Sequence, residues 1–186
     1  MSLAEFLARI TGELESRNIE YMVCGSVASI FHGVPRTTQD VDIVVRIDGF
    51  DAKRLASGLD PEQFYVSESA AVDAVMRQRQ FNIIDMQTGW KADLIVRKRR
   101  QFSHVEFERR IRVEMLGTEV WVASAEDTIL SKLEWSKMSQ SDRQIRDAQG
   151  VVDIQGQELD WNYMQHWASE LNVVDELDAL HPLQDA

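Results

Sequence analysis

The spacing of apolar residues near the N-terminus predicts a helix followed by alternating strands and helices. In this first helix, apolar side chains recur at helical spacing from Leu3 to Leu14, and Ser2 with Glu5 can form a capping box. The elements predicted next are, in chain order, a strand at 21–25, a brief helix at 26–33, a strand at 40–45, and helices at 48–58 and 68–78.

Strand-like periodicity then replaces the helical one, before helices return near the C-terminus. The segments 81–96 and 110–124 each place apolar runs on both sides of a turn, which predicts two hairpins. From Ser124 onward the pattern is helical, with helices beginning near 124, 141 and 160. The sequence therefore predicts an α+β fold, with a mixed α and β core over 1–123 and a helical subdomain over 124–186.

Composition and charge limit the classes of partner that the chain is expected to bind. Of its 186 residues, 44% are hydrophobic, which is enough for an ordinary core, and the formal net charge is −11. Duplex DNA binding is not expected, because binding phosphates requires clustered Lys and Arg. The single cysteine, Cys24, excludes an internal disulfide, and the sequence shows neither a signal peptide nor a membrane span. We therefore expect a soluble cytoplasmic protein without membrane partners.

Two aspartates, Asp40 and Asp42, open the strand at 40–45, and their spacing indicates a bound cation. Strand residues i and i+2 lie on one face about 6.5 Å apart, and two ionised carboxylates this close need a cation between them. Hard divalent ions such as Mg²⁺ take oxygen ligands, and a pair of ions calls for a third carboxylate from a neighbouring strand. Asp93, at the start of an apolar strand, is the candidate, and Asp85 is its rival.

A Gly-Ser pair, Gly25 and Ser26, lies where the strand at 21–25 gives way to a helix. Glycine lets the backbone approach a ligand closely, and the amides at a helix N-terminus attract anions. A phosphate-binding turn followed by a carboxylate pair predicts a nucleoside triphosphate bound through its phosphates and metal.

The motif formed by these residues resembles the signature of the DNA polymerase β nucleotidyltransferase superfamily. The segment CGS, thirteen intervening residues (27–39) and DVDI match its Gly-Ser and Asp-x-Asp elements. With the later segments SAEDTILSKLEW and RQIRDAQGVV, the chain is similar over about 20–155 to a bacterial branch that includes abortive-infection (type IV toxin–antitoxin) nucleotidyltransferase toxins. The resemblance implies the nucleotidyltransferase fold, a mixed sheet flanked by helices.

The resemblance also implies roles for the carboxylates. Asp40 and Asp42 would bind two Mg²⁺ ions, with Mn²⁺ as the alternative metal, and Asp93 would join them at the ion that activates the acceptor hydroxyl. All three are thus expected as catalytic residues and metal ligands, and Asp93 is favoured over Asp85 because its apolar continuation matches the family better.

Residues outside the carboxylate set are expected to hold the nucleotide. By the resemblance, Gly25 and Ser26 would hold the β- and γ-phosphates. Lys132 is the candidate for a triphosphate contact, although an ordinary exposed helix lysine is an equal alternative. Arg36 and Thr38 either assist the phosphates or hold the loop. Asp147 with Arg143 has the i, i+4 spacing of a modest surface ion pair, with a site role as the alternative.

The function predicted from these features is Mg²⁺-dependent transfer of a nucleoside monophosphate from an NTP such as ATP. The acceptor is open between RNA (a tRNA end), a protein side chain and a small molecule. The toxin-like relatives add a cognate antitoxin-like protein as a candidate partner. The alternative is a weakly active or inactive binding module within a two-component system. The basic run at 97–101 follows the Asp93 strand, so it is a candidate contact for a polyanionic acceptor or an acidic partner protein.

Overall fold

The computed structural model describes residues 2–180, and these contain the predicted mixture of strands and helices. The strands are β1 (Glu20–Cys24), β2 (Asp40–Arg46), β3 (Phe64–Val66), β4 (Gln80–Asp85), β5 (Lys91–Val96), β6 (Ile111–Met115) and β7 (Thr118–Val122). The helices are α1 (Leu3–Glu15), α2 (Gly25–His32), α3 (Gly49–Gly58), α4 (Glu68–Arg77), α5 (Gln101–Glu108), α6 (Ala125–Ser139), α7 (Asp142–Gln155), α8 (Trp161–Leu171) and α9 (Val174–Leu180).

The chain divides into two compact units, each described by itself. Among the described residues, the sheet unit comprises 2–24 and 38–122, and the helical unit comprises 25–37 and 123–180. Residues 25–37, which were predicted to belong to the mixed α and β core, therefore group with the C-terminal helices. The predicted domain limits stay a prediction, and their residues 1 and 181–186 lie outside the described ones.

The sheet unit contains one mixed seven-stranded sheet in the order β3-β4-β5-β2-β1-β7-β6. β2 runs parallel to β5, and β1 runs parallel to β7, whereas the other neighbouring pairs are antiparallel. Helix α1 packs on β1 and β7 and buries Phe6, Leu7, Ile10 and Leu14 completely. This mixed sheet flanked by helices confirms the predicted α+β fold class.

Capping residues explain where several of the helices begin. Ser2 and Glu5 form the predicted capping box of α1, and Ser124 accepts a hydrogen bond from the Asp127 amide at the start of α6. Two short elements were not predicted: β3 has only three residues, and α5 has no side-chain cap at Arg100. Neither carries a strong periodic signal, because β3 is too short and α5 packs several polar residues among its buried ones.

The helical unit is built from α2, α6, α7, α8 and α9 around its own core. Buried apolar residues of this core include Ala28, Leu130, Leu133, Val151, Met164 and Trp167. Helices α2 and α7 approach each other closely at a glycine. A Cβ added to Gly33 would lie 2.8 Å from backbone atoms of Gly150 and Val151, so this position requires the absence of a side chain.

Candidate active site

Strand register brings three predicted carboxylates onto one face of the sheet unit. β2 and β5 are parallel neighbours in which Asp42 pairs with Asp93 and Asp40 pairs with Lys91. Laterally paired residues and residues two apart on a strand share a face, so these four side chains form a block on adjacent strands. We call Asp40, Asp42 and Asp93 the carboxylate set.

Asp93 is the most buried member of the carboxylate set, and two neighbours contact its two oxygens. The Asn82 amide on β4 donates a hydrogen bond to Oδ1, consistent with its register opposite Asp93. The Lys91 ammonium lies 2.8 Å from Oδ2, while the side chain of Asp93 is 9% exposed. The hydrogen bond to Asp93 and the charges of the three carboxylates raise the pKa of Lys91 and outweigh its desolvation.

Asp40, at the start of β2, is held by Thr38, two residues before it in the chain. The Thr38 hydroxyl lies 3.2 Å from both the backbone oxygen and the Oδ1 of Asp40. The other carboxylate oxygen of Asp40, Oδ2, is 3.9 Å from the Lys91 ammonium. Of the two roles predicted for Thr38, these contacts support that of holding the loop before the strand.

Asp85, the rival third carboxylate, points to the opposite face of the sheet. It stands an odd number of positions from Asn82 on β4, and its side chain is fully buried. It accepts hydrogen bonds from the amide and hydroxyl of Thr88 and forms an ion pair with Arg9 at 2.9 Å. Although burial raises the pKa of Asp85, these hydrogen bonds lower it below the ordinary value. Asp85 thus stabilises the β4–β5 turn.

The helical unit contains a second polar cluster, formed by Ser26, Arg36, Lys132 and Asp147. The Arg36 guanidinium donates to both Asp147 oxygens, from Nε at 2.9 Å and Nη2 at 2.7 Å, and Nη2 also lies 2.7 Å from the Ser26 hydroxyl. The Lys132 ammonium is 2.8 Å from Asp147 Oδ2. We call these four residues the serine–arginine cluster.

The charged side chains of the serine–arginine cluster are largely buried and are held in ion pairs. The side chains of Lys132 and Asp147 are only 6% and 8% exposed, so Lys132 is not an ordinary exposed helix lysine. Burial raises the pKa of Asp147, but the hydrogen bonds from Arg36 and Lys132 outweigh this and hold it below the ordinary value. The cluster therefore has two cations on one carboxylate, which leaves an excess positive charge beside the Ser26 hydroxyl.

Gly25 starts α2 in a backbone conformation that favours glycine. Its φ is +59°, in the left-handed region, and it begins the helix directly after the last residue of β1. Cys24, that last residue, pairs in register with Asp42. Ser26 lies in the first turn of α2, where helix amides lack intrahelical partners and favour anions.

The chemistry of the carboxylate set suits a hard divalent cation. Its donors are carboxylate oxygens, the ligands that Mg²⁺ and Mn²⁺ take in proteins, and the Lys91 ammonium stands there as a cation. Among residues 2–180, no group of three or more Asp, Glu, His or Cys side chains is already arranged to hold a metal ion. The residues thus fit a metal by chemistry, with Asp93 engaged by Lys91 and Asn82.

The basic run at 97–101 lies away from the carboxylate set along the same strand. Arg97 follows Asp93 by four positions, roughly 13 Å of strand, and its amide donates to Val45 near the other end of β2. Its guanidinium lies over the Phe107 ring, and Arg100 donates to Ser103. Arg97 is therefore not adjacent to the carboxylates within the sheet unit, and the run stays a candidate contact for a polyanionic acceptor or an acidic partner protein.

Three residues of these clusters were missed or misjudged from sequence. Lys91 and Asn82 were not singled out, because their contacts depend on which strands pair and in what register. Asp147 forms its ion pairs with Arg36 and Lys132, which lie far from it in the chain, and spacing within one helix gives no sign of them. The position of Lys91 two residues before Asp93 was the one available signal, since it repeats the spacing of Asp40 and Asp42.

Solved structures of nucleotidyltransferases resemble this chain in fold. An antigenic nucleotidyltransferase-like protein from Paracoccidioides brasiliensis is 19% identical with a TM-score of 0.59, over 96% of this chain and 91% of that chain. The antibiotic-resistance factor ANT(2'')-Ia is 13% identical with a TM-score of 0.61, over 96% and 97%. The lincosamide antibiotic adenylyltransferase LnuA, bound to lincomycin, is 12% identical with a TM-score of 0.55, over 83% and 98%. At these identities the likeness shows the fold alone.

The family assignment comes from a sequence profile that spans nearly the whole chain. Residues 1–180 match the family described as nucleotidyltransferase of unknown function (DUF6036). The comparison with curated proteins gave no match. No helix within residues 2–180 is long and apolar enough to cross a membrane. The chain belongs to the DUF6036 family of nucleotidyltransferases.

Proposed function

We propose that this nucleotidyltransferase transfers a nucleoside monophosphate from an NTP to a hydroxyl acceptor in a reaction that depends on Mg²⁺ or Mn²⁺. The observation that carries the proposal is the carboxylate set, three aspartates in adjacent register positions on β2 and β5. Like charges in such an arrangement are costly unless a cation compensates for them, and a triphosphate brings such cations with it.

Each member of the carboxylate set is assigned a role. Asp40 and Asp42 would hold the divalent metal together with Asp93, and Asp93 would accept the proton of the attacking hydroxyl. The bond that forms joins the acceptor oxygen to the α-phosphorus, and the bond that breaks releases pyrophosphate. Bound divalent metal supplies charge stabilisation for the phosphoryl oxygens and lowers the pKa of the hydroxyl. Thr38 orients Asp40 through its hydroxyl.

The serine–arginine cluster is assigned to the β- and γ-phosphates. Gly25 and Ser26 provide backbone amides and a hydroxyl at the start of α2, and Arg36 is hydrogen-bonded to that hydroxyl. Lys132 and Arg36 both pair with Asp147, so Lys132 adds a second positive charge to the cluster. Asp147 is a positioning residue in this proposal, because it fixes the guanidinium plane of Arg36 from behind.

The acceptor is assigned to a small molecule bearing a hydroxyl group. Two structures of similar fold are antibiotic-modifying proteins whose own chains are covered almost fully, so their size and architecture match this chain. The basic run at 97–101, the one dense basic segment, lies roughly 13 Å of strand beyond Asp93, so it gives no direct support to an RNA acceptor at the carboxylate set. RNA and protein acceptors, with the toxin role they would imply, are kept as outcomes of the experiment.

A second candidate function is a nucleotidyltransferase fold kept as a non-catalytic binding module. The observation in its favour is that Lys91 and Asn82 already occupy both oxygens of Asp93. A domain released from catalysis can neutralise its acids in this way. Calorimetry separates the two, because the enzyme binds an NTP together with Mn²⁺ and the module binds neither.

The experiment incubates the protein with each α-labelled NTP and Mg²⁺. Separate reactions contain a pool of small hydroxyl compounds, total tRNA and a protein extract. Asp42→Asn is the inactive control, and Asp73→Asn, which removes an exposed acid paired with Arg77, is the matched control for charge loss. Circular dichroism verifies that each variant is folded.

The position of the label decides between the readings. Label on a small compound with wild type and Asp73→Asn, and none with Asp42→Asn, supports the proposal. Label on tRNA or on a protein keeps the chemistry, changes the acceptor and makes a toxin role testable by growth arrest on expression. Equal labelling by Asp42→Asn would contradict the role of the carboxylate set.

A further inference from the structure

Lys91 holds a position that the proposed chemistry does not use. It opens β5 in register with Asp40, and its ammonium lies 2.8 Å from Asp93 Oδ2 and 3.9 Å from Asp40 Oδ2. The charge of Asp42 acts on it as well. One side chain of the protein therefore places a positive charge among all three members of the carboxylate set.

The environment of Asp93 shows why a cation is needed there. A carboxylate that is 9% exposed carries a large desolvation cost unless a partner compensates for it. Asn82 gives Oδ1 a hydrogen bond but no charge, so Lys91 supplies the charge that balances Asp93. Without Lys91, the three acids would repel one another across two adjacent strands.

Lys91 can also leave this position without a change in the fold once another cation takes over its charge. Its side chain is 37% exposed and consists of a flexible four-carbon stem with a compact ammonium group. Rotation of the stem takes the ammonium into water without any change in β5. Asn82, in contrast, is short and fixed by its register opposite Asp93.

We infer that Lys91 is a displaceable internal counter-ion, which offsets part of the negative charge of the carboxylate set in the metal-free protein and is expelled when a divalent cation binds. The inference rests on the proposed function only in that it takes the carboxylate set as the metal site. Lys91 thereby competes with the metal, so that free divalent ions bind weakly. It also explains how three converging acids are stable before metal arrives.

The test measures binding of Mn²⁺ alone, by the loss of its free electron paramagnetic resonance signal. The variants are Lys91→Gln, Lys91→Arg, which keeps the charge, and Lys53→Gln, which removes an exposed lysine of the same unit. We expect Lys91→Gln to bind Mn²⁺ more tightly than wild type by about tenfold or more, because a positive charge close to the metal is gone. Lys91→Arg and Lys53→Gln should stay within about threefold of wild type.

A second measurement uses wild-type protein and does not depend on the folding of a variant. Lysines are acylated briefly by acetic anhydride with and without Mn²⁺, and the modified positions are quantified by mass spectrometry. We expect Mn²⁺ to raise the acylation rate of Lys91 several-fold, about the change expected when an ion-paired amine is released, and to leave that of Lys53 unchanged.

Three results separate this inference from the proposed function. Unchanged or weaker Mn²⁺ binding by Lys91→Gln, or unchanged acylation of Lys91, would overturn the inference. Tighter binding by Lys91→Gln supports it, even if the wild-type protein transfers no nucleotide. If wild type transfers nucleotide but Lys91 has no effect on metal binding, the proposed function stands and only the counter-ion inference is refuted.

Discussion

The ion pairs of Asp147 allow us to estimate how much the serine–arginine cluster contributes to the free energy of unfolding. Asp147 accepts three charge-assisted hydrogen bonds, two from Arg36 and one from Lys132, at 2.7 to 2.9 Å. The change Asp147→Asn keeps the shape of the side chain but removes its negative charge. It leaves the ammonium of Lys132, which is only 6% exposed, without a carboxylate.

The magnitude follows from burial. Removing one partner of a buried ion pair typically costs 3–5 kcal/mol, or about 3 kcal/mol here because asparagine retains one acceptor oxygen. By comparison, an exposed pair contributes about 0–1 kcal/mol. We therefore expect Asp147→Asn to lower the free energy of unfolding by about 3 kcal/mol, far more than the i, i+4 surface pair predicted from sequence would give.

The assay is urea unfolding followed by tryptophan fluorescence near pH 7. Asp153→Asn, an exposed acid on the same helix that accepts a hydrogen bond from Gln149, is the matched control and should change stability by no more than about 0.5 kcal/mol. The pKa of Asp147 is lowered in the folded protein, so its contribution is fully present above the ordinary pKa of 3.8 and is lost as pH falls through the folded value. Equal effects of Asp147→Asn and Asp153→Asn would refute this reasoning.

Three further predictions concern the helical unit and α1. The Nε2 of His32 lies 2.7 Å from the Ala123 oxygen, and burial lowers the pKa of His32. The contribution of neutral His32 to stability is therefore fully present above its ordinary pKa of 6.5. It is lost as pH falls through the lower folded value. Acid titration of the unfolding free energy should therefore be shallower just below pH 6.5 in His32→Asn, and identical slopes would contradict the burial argument. Gly33→Ala should destabilise by about 1–3 kcal/mol in thermal and urea unfolding, because the added Cβ meets backbone 2.8 Å away. Gly12→Ala, in open space within α1, should instead stabilise by about 0.5–1 kcal/mol, and a stable Gly33→Ala protein would disprove the close approach.

Local patterns were sufficient to predict most of the fold. The capping box of α1 and the alternation around the hairpin turns act within a few residues, so the sequence shows them directly. The order of strands is different, because the placement of β2 between β5 and β1 depends on packing between distant segments. The α+β class was therefore predicted from periodicity, whereas the nucleotidyltransferase fold, a mixed sheet flanked by helices, was predicted through the resemblance of a short motif.

The candidate site shows the same division between local and distant information. Asp40 and Asp42 could be recognised from their spacing, whereas the partners of Asp93 required the pairing of β4, β5 and β2. Lys91 was missed for this reason, since a lysine at a strand start normally means solvent exposure. Asp147 was misjudged because its partners are distant in sequence, at Arg36 and Lys132.

The central claim is that the protein moves the α-phosphate of an NTP and releases pyrophosphate. The most direct test runs the same acceptor reaction twice, once with α-labelled and once with γ-labelled NTP, using wild type and Asp42→Asn. We predict that the α-label appears on the acceptor, that the γ-label appears in pyrophosphate, and that Asp42→Asn produces neither. A γ-label on the acceptor, or transfer by Asp42→Asn at the wild-type rate, would contradict it.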